Sequence, residues 1–198
     1  VEQKSKEQTS KGRWKLLAVL MVCASPLIAS YFTYYVVKPE GRTNYGDLID
    51  PRKHPIPDLK ALTLDGKPSG LDAYKGKWIM LRVAPSECAK PCQDQVFFMR
   101  QMRIMQGKNQ DRVERVWLTT DMEPLDIPLL KQFDGMHVLR ADPEALKRWL
   151  PLEPGMQLEE HLFLIDPLGN LMMRFPKDPD PSKVKKDLGK LLKASAIG

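Results

Sequence analysis

The sequence predicts an α/β domain, a mixed central sheet flanked by helices, preceded by one transmembrane helix. Three observations carry this reading. Leu16 to Val37 holds no charged side chain. Beyond it, short apolar runs of strand length alternate with helix-like segments. The alternation closes on a hairpin and a final helix, which adds antiparallel strands to a sheet that otherwise reads as parallel.

A helix from Leu16 to Val37 rises about 33 Å, enough to cross a hydrocarbon core of about 30 Å. Lys4, Lys6, Lys11, Arg13 and Lys15 precede it against only Glu2 and Glu7. That excess of positive charge predicts a cytoplasmic tail over 1–15 and a soluble domain on the periplasmic side of the inner membrane. Trp14 and the group Tyr31, Tyr34 and Tyr35 stand near the two ends, where interfacial aromatics belong. A cleaved signal peptide has a shorter apolar region, of about 7–15 residues. Val22 is too bulky to precede a lipoprotein cysteine at Cys23. The span 16–37 is therefore read as an uncleaved anchor, with Pro26 tolerated inside it and Cys23 as a small packing residue.

The anchor also explains the net charge. Residues 1–38 hold six basic and two acidic side chains, leaving 25 basic against 23 acidic in 39–198, so most of the chain's +6 is a topology signal. A nucleic-acid footprint would need a basic cluster on the folded domain, and none is present. The segment 38–57, with four prolines, two glycines and alternating charge, reads as a linker. The rest, 58–198, is the length of one ordinary domain.

Within that domain Leu59 to Leu64 alternates and stops at the turn Asp65-Gly66. Leu71 to Gly76 is a short turn-like segment feeding Trp78 to Ala84, a continuous apolar run read as a buried strand. Gln93 to Gln106 reads as a helix stopped by Gly107, Lys108 and Asn109. Arg115 to Thr120 and Met136 to Arg140 read as strands, and Pro124 to Phe133 and Pro143 to Leu150 as helices. The second helix has Asp142 as N-cap and Pro143 at its first position. His161 to Ile165, the turn Asp166-Pro-Leu-Gly169 and Asn170 to Phe175 make the hairpin. Asp180 and Pro181 open a helix from Ser182 to about Lys193. This is the order of a thioredoxin-like domain with an N-terminal extension.

The chemistry concentrates in Arg82-Val-Ala-Pro-Ser-Glu-Cys-Ala-Lys-Pro-Cys92. Cys88 and Cys92, two of the chain's three cysteines, form a C-x-x-x-C pair between a buried strand and a helix. Such a turn presents side chains at the carboxyl end of a sheet, where α/β folds place their sites. The positive end of the helix dipole favours thiolate there. Thiolate attacks disulfides and also binds soft metals, so the residues suit either a thiol–disulfide oxidoreductase or a metallochaperone. A disulfide closing so short a loop removes little chain entropy, which argues against a purely structural staple.

With these motifs in order, the stretch from about Pro57 to Leu192 resembles the Sco/SenC family of cytochrome c oxidase assembly proteins. Leu62-Thr-Leu-Asp-Gly66 resembles the opening hairpin and Cys88-Ala-Lys-Pro-Cys92 has the family's cysteine spacing. Leu118 to Pro124, Ala141 to Leu146 and Phe163 to Gly169 resemble later landmarks. The resemblance implies a thioredoxin-like fold, a single membrane anchor, and copper bound by two cysteines and one distant histidine. It also implies action on the copper centre of cytochrome c oxidase subunit II, or alongside another assembly factor. Cys88 and Cys92 match the two thiolate ligands. The family's histidine stands eight residues before the Asp of the hairpin turn; that position here is Leu158. The nearest histidine, His161, stands five before Asp166 and is the candidate third ligand. Residue 160, where thioredoxins carry a cis-proline, is glutamate.

The expectation is a membrane-anchored assembly factor for a copper-containing respiratory oxidase. It would act by copper delivery or by thiol–disulfide reduction, with Cys88 attacking and Cys92 resolving. The alternative is a thioredoxin-like scaffold in oxidase assembly without metal or redox turnover. Met99, Met102 and Met105 recur at helical spacing and read as core filler rather than a copper relay. His54 and His137 read as surface or packing residues. A peroxidase is set aside because Val83-Ala-Pro-Ser-Glu-Cys88 lacks the threonine such a site requires.

Overall fold

The computed structural model describes residues 2–37, 44–125 and 134–197. The helix expected over 124–133 falls almost wholly outside them. The chain divides into two units, Val1–Thr43 and Asn44–Gly198.

In its described residues the first unit is one helix, α1 (Glu2–Phe32), ending in a π-helical turn, Thr33–Val37. Arg13–Val36 is long and apolar enough to cross a membrane. Pro26 sits inside α1, and its missing N–H orphans the carbonyl of Val22, four residues back. The Ser25 hydroxyl donates to that carbonyl at 2.9 Å, and the Thr33 hydroxyl donates to Ala29 O at 2.8 Å. Both hydroxyls are thus satisfied inside the helix, as an apolar surround requires.

The second unit is a seven-stranded sheet. Its strands are β1 (Asp47–Leu48), β2 (Leu62–Thr63), β3 (Trp78–Ala84), β4 (Val113–Thr119), β5 (Met136–Arg140), β6 (Leu162–Ile165) and β7 (Leu171–Phe175). They lie in the order β1-β7-β6-β3-β4-β5-β2. β3 runs parallel to β4, and β4 parallel to β5; every other pairing is antiparallel. The mixed sheet predicted from the alternation and terminal hairpin is therefore present. Among the described residues its α-helices are α2 (Lys90–Ile104), α3 (Pro143–Trp149) and α4 (Pro181–Ala194).

All seven residues of β3 are buried. Ile79, Leu81 and Val83 join one apolar layer with Leu71, Leu146 and Phe163. Trp78 and Met80 join the other, with Met99, Met102, Leu188 and Leu192 from α2 and α4. Met99 and Met102 are core residues, as their spacing suggests, whereas Met105 is exposed. Asp142 and Asp180 cap α3 and α4 by accepting from the N–H groups two and three residues on. The hairpin turn is closed by Asp166, which accepts from Asn170 N at 2.8 Å, with Gly169 at φ +90°.

The segment expected as a linker is the main difference. From Asn44 onward it is built into the sheet: β1 pairs with β7, Ile49 N donates to Met172 O, and Ile56 N donates to Gly169 O. Its anchor is Asp187 on α4, 2% exposed, whose Oδ2 accepts from Tyr45 N at 2.6 Å and Gly46 N at 3.0 Å. Gly46 is required there: a Cβ would stand 2.6 Å from the Met173 sulfur. Prolines and glycines read as linker composition, but here they fit an irregular edge held by a side chain, not by apolar periodicity.

Asp187→Ala strands two backbone donors in the interior. It is expected to cost about 3 kcal/mol in denaturant unfolding and to make the Asn44–Ile49 amides exchange first.

Candidate functional site

β3 delivers the chain to the carboxyl edge of the sheet at Ala84, and Pro85 to Ala89 turns it into α2. Cys88 and Cys92 are joined by a disulfide across that turn, with Cα atoms 5.1 Å apart, inside the ordinary range. Ala89 is the N-cap and offers no side-chain acceptor, while Pro91 takes a first-turn position where a missing N–H costs nothing. Ala84, Val96, Trp117 and Val138 pack around the two cysteines. The Trp117 indole donates to Ala84 O at 3.1 Å and fixes the strand end. The Gln93 amide donates to Cys88 O at 2.9 Å.

The loop is clamped from β4. Asp121 accepts from Ser86 N at 2.9 Å and from the Ser86 hydroxyl. Burial pushes its carboxyl up. The hydrogen bonds from Ser86 and Glu123 and the charge of Arg140 outweigh this and hold it below the ordinary carboxylate range. Lys90, between the cysteines, is paired with Asp94 at 2.5 Å on the exposed helix surface.

A cleft of about 330 Å³ opens beside the disulfide, lined by Cys92 but not Cys88. Arg82 also lines it and is 3% exposed. Glu159, Glu160 and Lys177 stand across the cleft, and Glu160 accepts from Lys177 at 2.6 Å. Arg82 is the residue that pattern reasoning passed over. Its signal is a lone arginine inside the apolar run of β3, a position that needs a reason.

His161 does not join the cysteines. It ends a 3₁₀ turn, Leu158–Glu160, and precedes β6. It is 4% exposed, with its ring 6.3 Å from that of Phe163 in the layer opposite α2. Nδ1 lies 2.9 Å from Phe175 O, and Nε2 is buried without a partner. Leu158, at the position matching the family's histidine, is packed into the apolar layer. Among the described residues no three His, Cys, Asp or Glu side chains gather as a metal-ligand group. A disulfide offers no thiolate, so the predicted trio of Cys88, Cys92 and His161 does not fit a copper site in this arrangement. His54 and His137 meet Trp149 O and Glu114, both at 3.2 Å, as packing residues do.

The fold and site define a class: a thioredoxin-like domain carrying a disulfide at a strand–helix turn, on a chain that begins with a membrane-length apolar helix. The chain belongs to the family described as transmembrane-like, thioredoxin-like, C-terminal domain, whose profile matches residues 78–195. The companion profile, transmembrane-like, N-terminal domain, matches residues 6–37. No curated protein matches the chain in sequence. Among solved structures it is similar to Arabidopsis thaliana ScoI with copper bound, at 18% identity, 76% of this chain, 99% of that one and a TM-score of 0.55. Yeast Sco1 with copper bound is similar at 14% identity, 77% of this chain, 91% of that one and a TM-score of 0.55. A SCO1/SenC family lipoprotein from Bacillus anthracis gives 19%, 75%, 98% and 0.55. At these identities the likeness shows a shared fold, so the resemblance to Sco/SenC proteins read from the sequence holds at the level of architecture.

The Ser86–Asp121 clamp predicts a pH dependence. Because the folded carboxyl titrates below its unfolded value of about 3.9, its contribution is present above that pH and is lost as pH falls through the folded value. Asp121→Asn is expected to lower stability by about 1 kcal/mol at neutral pH, where the carboxylate is partly solvated. The gap to the unaltered protein should close below about pH 4, read from urea midpoints at each pH.

Proposed function

We propose that this chain is a membrane-anchored assembly factor for a copper-containing respiratory oxidase, acting by thiol–disulfide exchange through Cys88 and Cys92. The observation that carries the reading is the Cys88–Cys92 disulfide at the β3–α2 turn, beside an open cleft. The basic N-terminal tail supports a cytoplasmic N-terminus, a single span in the inner membrane and a domain on the periplasmic side. That compartment permits the pair to cycle between dithiol and disulfide.

In the reduced state the helix dipole favours a thiolate at Cys88. That thiolate attacks one sulfur of a target disulfide, forming a mixed disulfide and releasing the second target sulfur as thiolate. Cys92, as thiolate, then attacks the Cys88 sulfur, frees the first target sulfur and restores the Cys88–Cys92 bond. Two electrons pass to the target, whose two cysteines become free to ligate metal. The resemblance supports, as such a target, the copper-ligating cysteines of oxidase subunit II. The copper-bound Sco structures support metal delivery as the other branch. The arrangement of Cys88, Cys92 and His161 does not fit it, and no step here runs through copper.

Cys88→Ser and Cys92→Ser are each expected to lower oxidase activity in cells at least tenfold with the protein still present in the membrane. Full activity in both would leave a scaffold. Alongside, the reduced full chain titrated with Cu(I) under anaerobic conditions is expected to show no tight equivalent that His161→Ala abolishes; such an equivalent would restore the copper-carrier branch.

A further inference from the structure

Arg82 occupies the fifth position of a strand buried along its whole length. Its Nε and Nη1 are buried without a hydrogen-bond partner. Burial pulls the guanidinium down to about 10, against the opposing charge of Glu159, so it stays a cation at neutral pH. Two guanidinium nitrogens buried without an acceptor are costly, and a ligand is one way to supply what the chain does not. The residue lines the same cleft as Cys92. Around it the cleft is acidic: Glu87 and Glu159 line the wall, and Glu160 is already engaged by Lys177. A buried cation with carboxylates about it complements a ligand that brings a carboxylate inward and a positive group outward.

We infer that the cleft beside Cys92 receives a small thiol bearing an ammonium–carboxylate end, its carboxylate held by Arg82 and its ammonium by Glu87 and Glu159, and that this thiol recharges the Cys88–Cys92 pair. The inference rests on the exchange reading above and names the reductant that reading requires. The thiolate of the small molecule attacks Cys92, the cysteine lining the cleft. A mixed disulfide forms at Cys92, and Cys88 leaves as thiolate at the helix N-terminus. A second small thiolate attacks the small-molecule sulfur of the mixed disulfide, giving the small-molecule disulfide and a Cys92 thiolate. Two thiols are oxidised and one protein disulfide is reduced. Arg82 is a positioning residue here: a guanidinium takes a carboxylate with directed hydrogen bonds that an ammonium does not reproduce.

The test uses the oxidised full chain in detergent micelles and three thiols compared per thiolate, because nucleophilicity follows thiol pKa. L-cysteine carries both charges, cysteamine only the ammonium, and 2-mercaptoethanol neither. Reduction of the disulfide, followed by alkylation and mass spectrometry, is expected to run about tenfold faster with cysteine than with cysteamine, the effect of one charged contact. In Arg82→Met the ratio is expected to fall to about one. That variant keeps an apolar stem and removes an unpaired buried cation, so it folds at least as stably as the unaltered chain. S-methyl-L-cysteine, which cannot reduce, should perturb amide signals of the oxidised chain at millimolar concentration and fail to do so in Arg82→Met. A cysteine-to-cysteamine ratio near one in the unaltered chain, or one unchanged by Arg82→Met, overturns the docking. Should no thiol reduce the pair, the exchange reading falls by itself, and S-methyl-L-cysteine binding then decides the cleft: binding that ignores Arg82, or none, overturns it.

Discussion

Everything in the second unit depends on β3 being buried on both faces. Its seven residues have helices α2 and α4 on one side and the α3 layer on the other, with β4 and β6 hydrogen-bonded along its edges. So enclosed, the strand reaches a cleft toward its carboxyl end, through Arg82 and Ala84. Any chemistry has to be placed where it ends, at Ala84. The turn that follows carries both cysteines, and its position is fixed by three contacts of different kinds. Trp117 holds the last carbonyl of the strand, Asp121 holds Ser86, and the disulfide ties the loop to the first turn of α2. Removing water from β3 therefore does more than stabilise the sheet: it localises the site.

The same enclosure explains which features were legible in the sequence. An unbroken run from Trp78 to Ala84 reads as a fully buried strand, and period-dependent patterning placed β4, β5, the hairpin and α4 to within a few residues. Asp142 and Asp180 were legible because a carboxylate before a proline is a local signal, complete within four residues. The β1 edge was not legible, because what orders it lies far away in the chain. Tyr45 and Gly46 are bound by Asp187, and no local window contains both partners. The Ser86–Asp121 clamp and the exposure of Arg82 to the cleft are long-range facts of the same sort.

The histidine illustrates the limit in another way. A position three residues from the expected one looks like a tolerable loop shift on paper. In the structure Leu158 lies within a 3₁₀ turn and fills the apolar layer, and His161 begins the extended backbone that leads into β6. Its ring sits beside Phe163, in the layer that does not hold the cysteines. Spacing along the chain picked out Cys88 and Cys92, which the structure joins, and His161, which does not gather with them.

That outcome bears on how the cysteines work. Copper needs both thiols reduced and a third donor within reach; exchange needs only that the pair can open and close. Cys92 lines a cleft, Cys88 precedes an uncapped helix start and a buried arginine lines the same cleft, and the proposed exchange draws on these three features. The two chemistries draw on the same residues and both start from the dithiol, but only exchange ends in the disulfide that joins Cys88 and Cys92.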